Sequence, residues 1–112
     1  MQNTVILLNN DGMGQAEPEL RHKLIRTYLT LLLENGQLPA VFCLYTEGVR
    51  LAVSGSPVLD LWKRIEAQGT RVILCSTCLN YFGLIDQVQA GIVGSMADII
   101  EAQTRAEKVI TL

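Results

Sequence analysis

The sequence predicts an α/β fold on a parallel sheet covered on both faces, and three observations predict it. Short apolar runs alternate with longer amphipathic stretches about five times along the 112 residues. The runs are continuously apolar, as strands buried on both faces are, where a half-exposed strand would alternate. Helix-starting and helix-ending residues fall between them. The length fits one domain, residues 1–112, which is enough chain to bury a core. Hydrophobic residues make up 49% of the chain and aromatic ones only 5%, so the core must be built from Leu, Ile, Val and Ala.

Taken in order, Thr4 to Leu8 is a buried strand, followed by the turn-forming stretch Asn9 to Gly14. Pro18 opens a helix, at a position where its missing N–H costs nothing. Leu20, Leu24, Tyr28, Leu31 and Leu32 are expected to form its apolar face, and Gly36 to close it. Ala40 to Tyr45 is the second strand. Thr46 to Ser54 connects onward, with a helical turn over Val49 to Val53. Ser56-Pro57 starts the next helix with a capping hydroxyl and a first-turn proline. That helix points Val58, Leu61, Trp62 and Ile65 inward and stops at Gly69. Arg71 to Leu74 is the third strand, running into Cys75. Leu79 to Phe82 is a short helix stopped by Gly83, and Gly91 to Val93 a brief fourth strand. Ser95 caps a helix from Met96 to about Glu107, and Val109 to Leu112 is the fifth strand.

In an open parallel sheet, ligands bind beyond the carboxyl ends of the strands. Asn9 to Gly14, Thr46 to Val49 and Cys75 to Cys78 all fall there. The strongest chemical signal is Cys75-Ser76-Thr77-Cys78. A thiol between a strand end and a helix start meets free backbone N–H groups, which favour thiolate over thiol. A second thiol three residues on can resolve a mixed disulfide or accept the sulfur. The plain alternative is that both cysteines are inert packing, since free cysteine is among the most buried residue types. A structural zinc site wants four ligands, whereas this pair has only His22 and Cys43 to add, so no metal is expected. Cys43 reads as a small core residue and His22 as a surface residue of the first helix.

Gly12-Met13-Gly14 between strand and helix invites a dinucleotide reading, but position 17, where the third glycine belongs, is Glu. The loop is still expected to line the site, with Asn10, Asp11, Gly12 and Gly14 beside Glu47, Gly48, Ser76 and Thr77. A formal net charge of −2 with no basic run argues against nucleic acid and against a membrane surface. No stretch nears the ~20 apolar residues of a span. The start, Met1 to Leu8, lacks the basic and long apolar parts of a secretion signal. The cytoplasm is therefore the expected compartment, and its reducing conditions favour a reactive over a disulfide-bonded cysteine pair.

These residues resemble a family. Asn10-Asp11-Gly12-Met13-Gly14 resembles the first loop of DsrE-like domains, above all the C-terminal domain of YedF-type proteins, which are linked to selenium metabolism. Glu47-Gly48-Val49 with Leu51-Ala52-Val53 resembles their N-x-G-V-x-L-A segment. Cys75-Ser76-Thr77-Cys78-Leu79 with Tyr81 and Gly83 resembles their C-G-T-C-L signature. Gly91 followed by Ser95-Met96 resembles their G-x-x-x-N-M. Ser76, Glu47 and Ser95 depart from that pattern, and the N-terminal TusA-like domain of full YedF proteins is absent from this chain.

The resemblance implies a three-layer α/β/α fold on a mainly parallel five-stranded sheet, and assembly into trimers or hexamers. It implies a sulfurtransferase-like sulfur carrier that needs no cofactor. A cysteine after the third strand, eight residues before a glycine, would hold sulfane sulfur as a persulfide. That spacing selects Cys75, with Gly83 downstream, and Cys78 would assist release. Such a carrier works with sulfur donor and acceptor proteins. Two other readings stand beside it: a non-catalytic oligomeric binding module, and a protein cycling Cys75 and Cys78 between dithiol and disulfide. The surplus of leucine at Leu29, Leu31, Leu32 and Leu33 fits the first of these.

Overall fold

The structure, a computed structural model, describes residues 3–112. Met1 and Gln2, the start of the stretch expected to hold no secretion signal, lie outside the described residues. Five strands form one parallel sheet: β1 (Thr4–Leu8), β2 (Val41–Leu44), β3 (Arg71–Cys75), β4 (Ile92–Gly94) and β5 (Lys108–Thr111). The spatial order is β4-β3-β2-β1-β5. The chain thus steps from β1 outward to β4, then returns across the sheet to pair β5 with the free side of β1. The helices are α1 (Pro18–Glu34), α2 (Leu59–Ala67), α3 (Ser76–Tyr81) and α4 (Met96–Arg105). Short 3-10 segments cover Thr46–Ala52 and Ile85–Gln87.

Right-handed crossovers place the helices of the outward steps on one face and that of the return step on the other. Contacts agree with this. Phe42 of β2 packs edge-on against Trp62 of α2, centroids 5.0 Å apart. The neighbouring register row, Val5, Val41 and Arg71, lines a groove with Asp98, Glu101 and Ala102 of α4. The result is the expected three-layer α/β/α architecture. Every residue of β1 and β2 is buried, as two-sided cover requires. The core is aliphatic apart from Phe42, Trp62 and the two thiols Cys43 and Cys75. The inward set Val58, Leu61, Trp62 and Ile65 of the second helix is buried as expected.

The first helix corrects the reading of its face. Its buried residues are Ile25, Leu29 and Leu32, whereas Leu20, Leu24 and Leu31 are 47%, 42% and 50% exposed. Two leucine-rich registers, one residue apart in phase, compete on this helix. The sheet takes the one that carries the β-branched Ile25. Other boundaries shift by a residue or two, as helix and strand ends commonly do. The second helix begins at Leu59, because Ser56 first closes a turn, its Oγ accepting from the Val58 N–H at 3.2 Å. The short helix begins three residues earlier than expected, at Ser76, directly after Cys75 ends β3.

Candidate functional site

At the carboxyl end of the sheet Thr46 links the three expected segments, meeting the first through Asn9 alone and the third through Cys78. It follows β2 directly and is the only non-glycine described residue with positive φ, at 47°. A β-branched residue in that left-handed region costs about 1–2 kcal/mol, so something must hold it there. Its own hydroxyl does. Oγ1 lies 2.6 Å from the Asn9 carbonyl, past the end of β1, and 2.7 Å from the Tyr45 carbonyl. Its backbone N–H donates to Cys78 Sγ at 3.0 Å. One residue after β2 therefore ties the loop after β1 to the helix after β3.

The segment behind Thr46 is fixed as firmly. Gly48 packs onto the Leu8 carbonyl at the end of β1, where any β-carbon would collide with backbone. The Leu51 carbonyl accepts the Trp62 indole N–H at 3.0 Å and the Ser56 hydroxyl as well. Glu47 is ion-paired with Arg50, whose guanidinium lies 4.4 Å over the Phe82 ring. Phe82 closes α3 with its N–H on the Cys78 carbonyl. The 3-10 segment thereby braces the short helix that carries Cys78.

The three thiols differ sharply in setting. Cys43 is fully buried in β2, and burial pushes its thiol up to about 11, against a smaller opposing pull from Arg71. Cys75 ends β3 and is 1% exposed. Cys78, in the first turn of α3, is half-buried and is the thiol of the pair that solvent reaches. Burial pushes the Cys78 thiol up. Its hydrogen bond with the Cys75 thiol pushes the same way, while the Thr46 N–H pulls down. Ser76 is half-buried and Thr77 exposed in the same turn.

The first loop turns elsewhere. Asn10 donates to the Gly14 carbonyl at 2.7 Å and accepts from the Asp11 N–H at 2.8 Å. Asp11 meets His22 Nε2 of α1 at 3.2 Å. Gly12, at φ 128°, presses against Arg21 of α1, where a β-carbon would lie 2.5 Å from that of the arginine. Asn10 and Gly14 thus tie the loop to itself, Asp11 and Gly12 bind it to α1, and it is Asn9 that reaches the thiol centre. Asp11 and His22 line a separate open cleft with Arg50 and Ser54. Sequence reasoning missed Thr46 and Asn9 as connectors, and His22 as the partner of Asp11. Nothing in residue type announces a threonine with positive φ. Among the described residues, no group of three or more His, Cys, Asp and Glu side chains gathers to hold a metal.

A family model described as the DsrE/DsrF-like family matches residues 13–112, a span that contains both Cys75 and Cys78. No curated protein matches the chain. Among solved structures, the ychN protein of E. coli superposes with a TM-score of 0.74 at 20% identity, covering 100% of both chains. A protein of unknown function from Methanobacterium thermoautotrophicum gives 0.73 at 19%, also covering 100% of both. A conserved protein of unknown function from Bacteroides thetaiotaomicron gives 0.69 at 15%, over 98% of this chain and 95% of that one. At such identities these likenesses speak to the fold.

Proposed function

Because this chain belongs to the DsrE/DsrF-like family, we propose that it carries sulfane sulfur as a persulfide on the pair Cys75 and Cys78. The observation that carries this reading is the solvent-reachable Cys78 sulfur, which accepts a backbone N–H beside a second thiol. A hydrogen-bond donor on sulfur favours the thiolate, which is the attacking form. Spacing in the family resemblance points to Cys75, but its burial leaves Cys78 as the thiol that meets a donor. Cys78 thiolate attacks the outer sulfur of a donor persulfide. The new S–S bond forms on Cys78, the donor's own S–S bond breaks, and the donor leaves as a thiolate. An acceptor thiolate then takes the outer sulfur and returns Cys78 to thiolate. Alternatively, Cys75 attacks Cys78 Sγ and expels hydrosulfide, leaving a Cys75–Cys78 disulfide that an external dithiol must reduce.

This chemistry takes no cofactor and needs donor and acceptor proteins. Self-association into a trimer or hexamer belongs to the same proposal, and so does a cytoplasmic setting. Exposed apolar side chains supply surface for assembly: Leu20, Leu24 and Leu31 on α1, and Ile92, Met96 and Ile100 around β4 and α4. No described helix is long and apolar enough to cross a membrane.

The deciding measurement is intact-protein mass after incubation with a sulfane-sulfur donor, on wild type, Cys75→Ser and Cys78→Ser. Wild type should gain one sulfur atom, removable by reductant, and Cys78→Ser should not. Loss only in Cys75→Ser would keep the chemistry and reverse the assignment. No gain in any form would end the carrier reading. The non-catalytic oligomeric module would then lead, and the burial of Cys75 is the observation that favours it.

A further inference from the structure

We propose that Thr46 is a positioning residue for the Cys78 sulfur: its hydroxyl anchors to neighbouring backbone the residue whose N–H meets Sγ. The proposal rests on the reading of the Cys75–Cys78 pair as the reactive centre. Three observations combine. Thr46 is a β-branched residue at φ 47°, a conformation that such residues leave unless restrained. Its hydroxyl lies within 2.7 Å of two backbone carbonyls, on Asn9 and Tyr45, and these supply the restraint. The N–H of this anchored residue meets Cys78 Sγ at 3.0 Å.

Burial and the neighbouring Cys75 thiol both oppose ionisation of Cys78, and the Thr46 N–H is the contribution that favours it. In the attack on a donor persulfide only the ionised fraction of Cys78 reacts. Thr46 would thus set how much of Cys78 is ready at neutral pH, although its side chain never touches the sulfur. Without the hydroxyl the anchor to the Asn9 carbonyl is lost, and the peptide that carries the N–H is free to shift off the sulfur.

The test is the pH profile of Cys78 alkylation by iodoacetamide, read by peptide mass so that the three thiols are separated. It is run on full-length wild type, Thr46→Ser, Thr46→Val and Thr46→Ala, with circular dichroism and Tm measured alongside. Thr46→Ser keeps the hydroxyl and should keep the wild-type midpoint. Thr46→Val should raise the midpoint by about one pH unit, and so slow alkylation at neutral pH about tenfold. Thr46→Ala, which lacks the β-branch and so tests the hydroxyl in a fold less prone to strain, should shift in the same direction. A folded Thr46→Ala or Thr46→Val with the wild-type midpoint overturns the proposal, as does a Thr46→Ser that shifts as far as they do. The readout is independent of sulfur loading. A protein that shows these shifts but never gains sulfur would refute the carrier function and leave Thr46 in its role. One that gains sulfur without them would do the reverse.

Discussion

At the scale of single residues, the same functional group takes three settings within a few strands. Cys43 sits mid-strand under full cover, its thiol pushed up to about 11. Cys78 is only half-buried, and its sulfur accepts a backbone N–H. Brief alkylation of the native protein at neutral pH should therefore label Cys78 and leave Cys43 untouched until denaturant is added. Peptide mass mapping checks this, and equal labelling of both would contradict the burial described for β2. Gly48 gives a second residue-scale prediction. A β-carbon there meets the Leu8 carbonyl, so Gly48→Ala should destabilise by about 1–3 kcal/mol, the usual cost of overpacking, seen as a lower urea midpoint. The sequence disclosed the cysteine pair, because C-x-x-C after a strand is a pattern of residue type and spacing. It did not disclose Thr46, whose part depends on a backbone angle that threonine seldom adopts.

At the scale of elements, α4 shows local chemistry acting as the sequence suggested. Ser95 accepts from the Asp98 N–H at 3.3 Å, and the Asp98 carboxylate accepts the Ser95 N–H at 2.8 Å, a reciprocal cap. Ser95→Ala should cost about 1 kcal/mol in denaturant unfolding. The Ser95 backbone N–H, and after it the Ser95 hydroxyl, hold the Asp98 carboxyl below its usual range. A lowered carboxyl stabilises the fold above the unfolded-state value and loses that contribution as pH falls through the folded one. The Tm gap between wild type and Ser95→Ala should therefore narrow under acid conditions, and a constant gap would show that the Ser95 hydroxyl does not stabilise the carboxylate. The first helix was legible as a helix but not in its orientation. Leucines at 20, 24 and 31 mimic the period of the buried set 25, 29 and 32, and periodicity cannot rank two registers of equal hydrophobicity. Strand identities were legible because two-sided burial writes continuous apolar runs, while the exposed edge β4 was shifted by one residue.

At the scale of the whole molecule, the fold class and the meeting of three strand ends follow from parallel βα order alone. Which side chains reach that meeting point does not, since Asn10 and Asp11 turn to their own loop and to α1. The apolar surface left on α1 carries a prediction for the assembly proposed above. Leu31 is 50% exposed, so Leu31→Asp should leave the unfolding midpoint nearly unchanged while shifting size-exclusion elution toward the monomer. Elution identical to wild type would remove that face from the interface.

The return of the chain to β1 also has a consequence in time. Thr4 pairs with Lys108, so the strand whose end supplies Asn9 to the thiol centre gains its second neighbour from residues 108–111. During synthesis it waits with one bare edge while nearly all the described chain is made. Such distant pairing makes folding slow and leaves an unpaired edge open to other chains meanwhile. A nascent chain of this kind is exposed to aggregation until its final strand leaves the ribosome, whatever the stability of the finished protein.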